Sequence, residues 1–466
     1  MTMRQSRWLA HRQRQTLLMI LLGLATGVEF LENIMFVFAS THIVGGIHAD
    51  ERSFALVQAA YAVGSMLMIL KQNWFARRFG YRRYLTAALL VFIAGTIGAG
   101  SSTSLAQMLV ARFVQGFGGG ALFTSCRILV NVLFGAADRP RAIKIFMLGI
   151  FGASALAPAF AAELVERGVW RDVFFGVLPF AIVAAIGAWR LLPDAEAASD
   201  TDRLALGPLL LFGAAIVTLQ SVLATARFDV FSHPLRLAIA AGIALLLLGT
   251  FLWRQWHHAA PMLRLRGLRD PVYLTGLAMY FVYYLISNLS GYVFPVLAEQ
   301  ALHVPLATTG WLNTFAATVS LIGILIYLRL ARRLPRKKPV MVAGLLVMAA
   351  SSWYFSRLSP EAGPSAMLWG LLGKGLFGVM VIIPIAGLTF RSLSAEDFGH
   401  GYRSKNLLRQ VASSFASGLG AVLLQNRQFA VMEQQARLVA CGDLYRLVAA
   451  LSLVAAVFML VQRRLD

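Results

Sequence analysis

Long apolar runs separated by short polar and basic segments dominate the chain. The run from Leu237 to Trp253, for example, contains no charged residue. A membrane-spanning helix needs roughly 20 mostly apolar residues, and a soluble fold could not bury so many runs of this kind. The pattern therefore predicts an all-α protein that crosses a membrane many times.

We predict fourteen transmembrane helices from these runs. They lie at residues 16–40, 53–70, 84–101, 105–134, 145–163, 173–189, 205–225, 237–253, 272–298, 307–328, 339–355, 365–390, 406–425 and 447–461. The first run is too long for a cleavable signal peptide and lacks a small-residue cleavage site, so we interpret it as a retained helix.

Two basic loops indicate an internal repeat. The loop at 76–83 joins helices 2 and 3, and the loop at 331–338 joins helices 10 and 11. Any cytoplasmic loop tends to be basic, but charge alone does not require this matched spacing. We predict a six-helix bundle at 1–193, two extra helices with their loops at 194–269, and a second six-helix bundle at 270–466. Repeated halves are a recurrent plan of transporters.

Composition and charge agree with a membrane location. Hydrophobic residues make up 58% of the chain and charged residues only 14%, against roughly 25% charged in soluble domains. The net charge of +21 would suggest nucleic acid in a soluble protein, but here the basic residues lie in short loops. Most of them fall on one side if the N-terminus is cytoplasmic. The positive-inside rule then predicts an inner-membrane protein with both termini in the cytoplasm and no nucleic-acid partner.

Two acidic residues lie inside the first apolar run. Glu29 and Glu32 are three residues apart, so they share a helical face. Charged groups inside a membrane are costly and usually functional. Because desolvation favours the neutral acid, such a carboxyl could gain and lose a proton near neutral pH, as a proton-coupled carrier requires. The alternative is that one glutamate forms a structural ion pair with a buried Arg or Lys.

Three cationic residues also lie within apolar runs: Arg112 and Arg127 in helix 4, and Lys374 in helix 12. Each could be a counter-ion to the glutamates or a binding group for an anionic substrate. For Arg127 the alternative is snorkelling, in which the side chain reaches the cytoplasmic interface.

Helix 9 is rich in aromatic residues, and we predict that Tyr280, Tyr284 and Asn288 contact a substrate. Tyrosine combines an apolar ring with a polar tip, which suits a pocket for amphipathic aromatic molecules. Ordinary packing or an interfacial aromatic belt is the alternative.

The sequence contains no motif of a soluble enzyme and no P-loop, so ATP is not the obvious energy source. We therefore predict a protein without enzymatic activity and without a cofactor. His257 and His258 lie in a basic loop that lacks cysteine or acidic partners, and we interpret them as solvated loop residues instead of a metal site.

The chain resembles the fourteen-helix drug:proton antiporter branch of the major facilitator superfamily, of the EmrB type. The segment 73–83 resembles the family's gating motif between helices 2 and 3. Its candidate gating residues are Arg77, Arg78, Gly80, Arg82 and Arg83. Most family members have Asp at the position of Arg77 and Gly at the position of Asn73.

Two further motifs carry the resemblance. Residues 112–118 match the helix 4 motif, and in the family its arginine, here Arg112, is linked to proton coupling. Residues 153–162 resemble the helix 5 antiporter motif. Pro158 is kept and is a further candidate gating residue, whereas alanines stand in place of the motif's glycines. Glu32 falls near the family's acidic residue in helix 1. The family fold implies a central cavity lined by helices 1, 4, 9 and 12.

The resemblance implies a proton-coupled exporter of amphipathic or aromatic small molecules that works by alternating access. The cationic residues on the implied cavity helices suggest an anionic or zwitterionic substrate. The alternatives are a lipid or lysolipid flippase, and a non-transporting membrane sensor or assembly subunit. EmrB-type exporters often work with a periplasmic adaptor and an outer-membrane channel, so the resemblance brings both into consideration as partners.

Overall fold

The computed structural model describes residues 3–49, 51–193, 206–258, 261–330, 336–428 and 434–465. Its helices are α1 (Met3–Phe38), α2 (Ser40–Gly46), α3 (Glu51–Gly100), α4 (Leu105–Leu133), α5 (Arg139–Glu166), α6 (Asp172–Phe175), α7 (Leu178–Leu191), α8 (Leu206–Ser232), α9 (Pro234–His257), α10 (Pro271–Pro295), α11 (Leu306–Leu330), α12 (Lys338–Phe355), α13 (Pro364–Thr389), α14 (Ala395–Gln428) and α15 (Gln434–Val461). A 3₁₀ turn (Leu265–Leu268) precedes α10, and a π-helical turn (Val296–Ala301) follows it.

Within these ranges, thirteen helical segments are long and apolar enough to cross a membrane. One of them, Ala55–Gly100, has 46 residues. At 1.5 Å per residue it extends about 69 Å, more than twice the roughly 30 Å of a bilayer core, so it accounts for two crossings. The prediction of an all-α membrane protein with fourteen membrane-spanning helices is confirmed.

Gly80 divides α3 into its two crossings. Its backbone angles, φ +75° and ψ 154°, belong to a region that essentially only glycine occupies. The prediction of a loop at 76–83 was wrong, because helix continues on both sides of the single non-helical residue. Loss of hydropathy at a membrane surface does not by itself end a helix, since the backbone hydrogen bonds continue into the basic segment.

The predicted start of α14 was wrong for the same reason. The apolar pattern began helix 13 at residue 406, whereas α14 begins at Ala395. Arg403 and Lys405, which lie before the predicted start at residue 406, are therefore within the helix and are buried at 4% and 3% exposure. A hydropathy criterion excludes charged residues from a membrane helix because it treats every side chain as if it faced lipid. Arg403 and Lys405 instead pack against other parts of the protein.

The chain forms two compact units. The first contains residues 1–157 and 167–210, and the second contains residues 158–166 and 211–466. The separate grouping of residues 194–269 as a segment of two extra helices stays a prediction, and residues 194–205 lie outside the described ranges.

In the first unit, glycines of α4 allow close contact with both halves of α3. A Cβ on Gly116 would overlap the backbone of Tyr61, and one on Gly118 would overlap the backbone of Ala88 and Phe92. Small residues at such positions let helix backbones approach closely in membranes. This contact fixes α4, with its buried Arg112, against α3.

In the second unit, an aromatic cluster packs α10, α12 and α15 together. Phe355 stacks on Tyr445 with ring centroids 4.9 Å apart and meets Phe294 edge-on at 5.8 Å. By contrast, α9 exposes most of its large apolar side chains, such as Leu235 and Leu246. A helix whose apolar residues face outward is suited to contact with lipid.

Pro158 interrupts the hydrogen bonding within α5. Proline perturbs the local helical ladder, and the N–H of the next residue, Ala159, donates to Thr314 Oγ1 of α11 at 3.2 Å. Both residues belong to the second unit. A Cβ on Gly310 of α11 would overlap Ala162 and the Pro158 carbonyl, so α11 packs closely on this end of α5.

Candidate functional site

A buried ion pair joins α1 and α4 in the first unit. Arg112 Nη1 donates to Glu32 Oε1, and the two side chains are 0% and 1% exposed. The same Nη1 also donates to Gln115 Oε1 at 2.6 Å. The fold therefore brings together an acidic and a basic residue that lie 80 positions apart in the sequence.

Uncharged polar groups from α3 and α4 complete this site. Arg112 Nη2 donates to Gln58 Oε1 at 3.2 Å, and Gln115 Nε2 donates to Thr96 Oγ1 at 2.8 Å. Thr96 Oγ1 in turn donates to the Phe92 carbonyl at 2.8 Å. The network needs both crossings of α3, because Gln58 precedes Gly80 and Thr96 follows it. Polar networks of this kind fix the geometry of a buried charge.

Two aromatic rings cover the guanidinium. Arg112 Cζ lies 3.8 Å from the ring centroid of Phe36 and 4.5 Å from that of Tyr61. The Tyr61 hydroxyl oxygen accepts a hydrogen bond from Asn33 Nδ2 at 2.9 Å. Ring faces stabilise a desolvated cation, so the glutamate and the two rings together surround the guanidinium of Arg112 with favourable contacts. We call Glu32, Arg112, Gln58, Gln115, Thr96, Phe36 and Tyr61 the Arg112 cluster.

Glu29 lies one turn before Glu32 on α1 and is equally buried, at 1% exposure. Its backbone carbonyl accepts a hydrogen bond from Asn33 Nδ2 at 3.0 Å. Its carboxyl lies near the Tyr61 hydroxyl and the Cys126 thiol. Glu29 therefore borders the Arg112 cluster through Tyr61, while Glu32 is the glutamate that pairs with the arginine.

Of the other two predicted cations, Arg127 lies away from this pair on α4, and Lys374 belongs to the second unit. Arg127 is fifteen positions beyond Arg112 on α4, about 22 Å along the helix, and its Nη1 donates to Asn131 Oδ1 at 2.9 Å. Lys374 lies in the second unit with its Nζ 5.3 Å from the ring centroid of Phe294. Among the residues that the structure describes, Lys374 has no hydrogen bond or ion pair.

The predicted tyrosines of α10 lie against a lysine that the sequence reasoning missed. Tyr280 and Tyr284 stack with centroids 5.9 Å apart. Lys405 Nζ lies 5.3 Å from the centroid of Tyr280 and 5.9 Å from that of Tyr284. Asn288 Nδ2 donates to the Tyr284 carbonyl at 2.7 Å. All of these residues belong to the second unit.

The candidate gating residues of the segment 73–83 lie around the break in α3. Arg77, Arg78 and Arg83 are exposed, and Gly80 is buried. Arg82 is half-buried, with its Cζ 4.4 Å above the Trp189 ring of α7. The corresponding loop of the repeat, 331–338, lies largely outside the described residues.

Among the described residues, no three His, Cys, Asp or Glu side chains form a cluster that could hold a metal ion. His257 Nδ1 lies 2.9 Å from the Trp253 carbonyl of its own helix.

Three features of the site were not predicted from the sequence. Gln58, Thr96 and Gln115 are polar residues within apolar runs, and that pattern was a usable signal, particularly for Gln115, one turn after Arg112. The sequence around Tyr61 did not indicate a functional role, because a tyrosine in a membrane helix is more often a packing residue. Lys405 lies one residue before the predicted start of its helix, and its charge excluded it from that helix.

The chain matches the family model described as Major Facilitator Superfamily over residues 19–279. It is 27% identical to the tetracenomycin C resistance and export protein of Streptomyces glaucescens, over 87% of this chain and 76% of that protein. It is 21% identical to the multidrug export protein EmrB of Haemophilus influenzae, over 88% of this chain and 81% of that protein. A Bacillus subtilis relative, the uncharacterized MFS-type transporter YhcA, is 23% identical over 88% and 76%.

Solved structures share the fold at lower sequence identity. A D-xylose-proton symporter superposes with a TM-score of 0.66 at 14% identity, covering 96% of both chains. The peptide transporter POT in complex with sulfate superposes with a TM-score of 0.65 at 14% identity, covering 95% of this chain and 94% of the other. These likenesses establish the architecture and carry no information about substrate.

Proposed function

Because the chain belongs to the Major Facilitator Superfamily and is therefore a multi-pass membrane transporter, we propose that it is a proton-coupled antiporter. In this proposal it exports amphipathic or aromatic small molecules across the cell inner membrane by alternating access. Arg112, Glu32 and Glu29 carry the proton coupling. The residues around Gly80, together with Pro158, carry the gating.

The buried Glu32–Arg112 pair is the observation that carries this proposal. An ionised carboxylate without compensation is very costly in an apolar interior, and here the guanidinium supplies that compensation. Glu32 Oε2 is buried and has no hydrogen-bond partner within the described ranges, so it offers a position for a proton. Protonation there removes the charge that Arg112 faces and weakens the attraction between α1 and α4.

The contacts of Arg112 link the protonation of Glu32 to transport. When Glu32 is neutral, Arg112 remains held by Gln115, Gln58 and the two rings, so the cluster has two arrangements that differ in charge. A ligand shifts a conformational equilibrium only as far as it binds one state better than the other. Protons favour one arrangement and substrate favours the other, so protons and substrate cross the membrane in opposite directions.

The names of the relatives support export as the direction. Two of them are named for export, of tetracenomycin C and of multiple drugs. The asymmetry of basic residues supports cytoplasmic termini. The EmrB relative also makes a periplasmic adaptor and an outer-membrane channel reasonable partners to test for.

Proton flux in liposomes tests the proposal. The purified protein is reconstituted with an internal pH dye, a pH gradient is imposed, and candidate aromatic acids and dyes are added. We expect substrate-dependent proton movement in the wild type and its loss in Glu32→Gln. Asp443→Asn is the matched control, because Asp443 forms an ion pair with Arg446 at 2.8 Å on a partly exposed helix surface.

Proton flux that persists in Glu32→Gln would remove Glu32 from the proton role and leave Glu29 to be tested in the same way. Substrate movement without proton movement would exclude antiport. Transfer of labelled lysolipid between the leaflets, with no movement of soluble aromatics, would support the flippase instead.

A further inference from the structure

Lys374 lies on α13 between two glycines that contact different helices of the second unit. A Cβ on Gly373 would lie 2.8 Å from the Ser351 Cβ of α12, and one on Gly375 would lie 2.5 Å from the Ala316 carbonyl oxygen of α11. Successive residues of an α-helix point about 100° apart, so the lysine occupies the face midway between these two contacts. It therefore points neither at α11 nor at α12, and a third helix, α10, supplies its neighbour.

Hydrogen bonds from both neighbouring helices hold this part of α13 in place. Ser320 Oγ of α11 donates to the Gly375 carbonyl at 2.8 Å, and Ser351 Oγ of α12 donates to the Gly370 carbonyl at 2.6 Å. The first acceptor lies one residue after Lys374 and the second lies one turn before it. The backbone of the lysine is therefore fixed by the protein, and its flexible four-carbon stem is the part that adjusts to a ligand.

The ammonium group of Lys374 faces an aromatic ring instead of a hydrogen-bond acceptor. Its Nζ lies 5.3 Å from the ring centroid of Phe294 on α10, and the lysine is half-buried. Within the described ranges the group forms no hydrogen bond and no ion pair. An ammonium carries three donors, and a ring face attracts a cation without neutralising its charge. The half-buried position leaves these donors accessible to a bound molecule.

The other two cations that the sequence places in apolar runs have acceptors in the protein. Arg112 donates to Glu32, and Arg127 donates to Asn131 Oδ1 at 2.9 Å. Of the three, Lys374 is the one without an acceptor among the residues that the structure describes. The fold therefore separates the three cations by role, although their sequence surroundings are alike.

Acidic residues are missing from the helices that contact this part of α13. Helices α10, α11, α12 and α13 contain no Asp or Glu. Between residues 271 and 394 the sequence has two acids, Glu299 in the π-helical turn and Glu361 before α13. In the described part of the chain, neither of them pairs with Lys374. Because an uncompensated ammonium is costly away from water, an anion bound at Lys374 would offset that cost.

We propose that Lys374 binds the anionic group of the substrate, so that the transported molecules are amphipathic or aromatic acids. The ammonium donates charge-assisted hydrogen bonds to a carboxylate or sulfonate, while Phe294 remains against the cation. This assignment deepens the proposed function, on which it rests for the statement that the bound molecule is transported. Proton coupling then belongs to the Arg112 cluster in the first unit, and charge selectivity belongs to Lys374 in the second.

A cationic substrate fits this position poorly. Like charges repel more strongly where the dielectric constant is low, and the ring of Phe294 that could attract an organic cation already faces Lys374. An uncharged amide can accept a hydrogen bond from the ammonium but gains no ion pair. A carboxylate gains both, so it should bind more tightly than either analogue of the same shape.

Equilibrium binding of three matched probes tests the assignment of Lys374. Calorimetry on the purified full-length chain in detergent at neutral pH compares 2-naphthoate, the uncharged 2-naphthamide and the cationic 2-naphthylmethylammonium. We expect naphthoate to bind the wild type at least about tenfold more tightly than either of the others. Lys374→Gln should reduce naphthoate affinity about tenfold with little change for the amide, and Lys374→Arg should retain part of the preference because it keeps the charge.

Lys144→Gln is the matched control, because Lys144 is an exposed lysine of α5 in the first unit and the chemical change is the same. It should leave all three affinities unchanged. Equal or tighter binding of the amide or the ammonium by the wild type would overturn the proposal without any variant, so a variant that fails to fold does not protect it. Naphthoate that fails to bind up to its solubility limit, or a preference for naphthoate that survives in Lys374→Gln, would also overturn it.

This measurement separates anion binding from proton coupling. It uses no pH gradient, so loss of proton coupling in liposomes leaves it unaffected. Anion preference that persists alongside absent proton flux would refute antiport and keep the role of Lys374. Proton-coupled transport with no anion preference would do the opposite.

Discussion

Arg112 on α4 donates a hydrogen bond to Glu32 on α1, and both side chains are almost completely excluded from solvent. The desolvation of two charges offsets much of their attraction, so a buried pair of this kind contributes little net stability. Removing one partner is different, because the other is left as an uncompensated buried charge. Energetic coupling between the two positions is therefore the expected signature.

Arg112→Met should destabilise the protein by about 3–5 kcal/mol, since Glu32 would remain without its cation. The double variant Arg112→Met with Glu32→Met should recover much of that loss. Denaturant unfolding in detergent, followed by circular dichroism, measures the free energies of unfolding for a double-mutant cycle. Additive effects of the two substitutions would mean that the pair does not exist in the folded protein.

The sequence predicted the helices far better than the ends of those helices. Apolar runs reveal where a helix crosses the bilayer, because every backbone polar group there must be satisfied within the helix. They do not show that helix continues through the basic segment around Gly80, or that α14 starts eleven residues before its apolar run. Hydropathy reports the surroundings of side chains, and hydrogen bonding determines the extent of a helix.

The candidate site was predictable one residue at a time but not as an arrangement. Glu32 and Arg112 were each recognisable as charges in apolar runs. Their pairing depends on how α1 packs against α4, which the sequence pattern does not specify. Gln58 and Thr96 join the same cluster from opposite sides of Gly80 and are far apart in the sequence. Lys405 could be found only after tertiary contacts showed what surrounds it.

Gly80→Ala should destabilise the protein by about 1–3 kcal/mol, because a side chain is strained at the φ of +75° that this residue adopts. If the break also serves gating, the variant should reduce the rate of transport. Thermal unfolding measures the first effect and liposome flux the second.

Gly242→Ala on α9 is the matched control. Nothing lies within 4 Å of a Cβ built there, and no positive φ is involved, so alanine should be neutral or slightly stabilising through its higher helix propensity. If the two variants have the same stability, the strain attributed to Gly80 is absent.

Asp270 should make a pH-dependent contribution to the stability of α10. Its Oδ1 accepts hydrogen bonds from Ser392 Oγ at 2.6 Å and from the Tyr273 N–H at 2.8 Å. The Ser392 hydrogen bond, followed by those from the backbone, lowers the pKa of this carboxyl below its ordinary 3.8. A lowered pKa in the folded state means that the stabilisation is present above the unfolded pKa and is lost as the pH falls through the folded value.

The comparison of wild type with Asp270→Asn tests this sign. Asparagine keeps an oxygen that can cap the helix but does not titrate. We expect the wild type to have the higher melting temperature at neutral pH, and the difference to shrink as the pH falls below about 4. A difference in melting temperature that stays constant with pH would show that the effect does not come from the charge of Asp270. Ser392→Ala should reduce the difference at neutral pH.

The hydrogen bond from Ala159 to Thr314 should contribute to stability where Pro158 disturbs α5. In Thr314→Val the part-buried Ala159 N–H loses its acceptor on α11, so we expect a loss of about 0.5–1.5 kcal/mol, measured by denaturant unfolding. Thr314→Ser keeps the hydroxyl and should lie closer to the wild type. Thr218→Val is the matched control, because Thr218 is half-buried on α8 and its hydroxyl bonds only to the Ala214 carbonyl of its own helix at 2.9 Å. If Thr314→Val is no less stable than Thr218→Val, the Ala159 N–H has kept a partner within α5, and the contact with α11 is not what stabilises the helix at this proline.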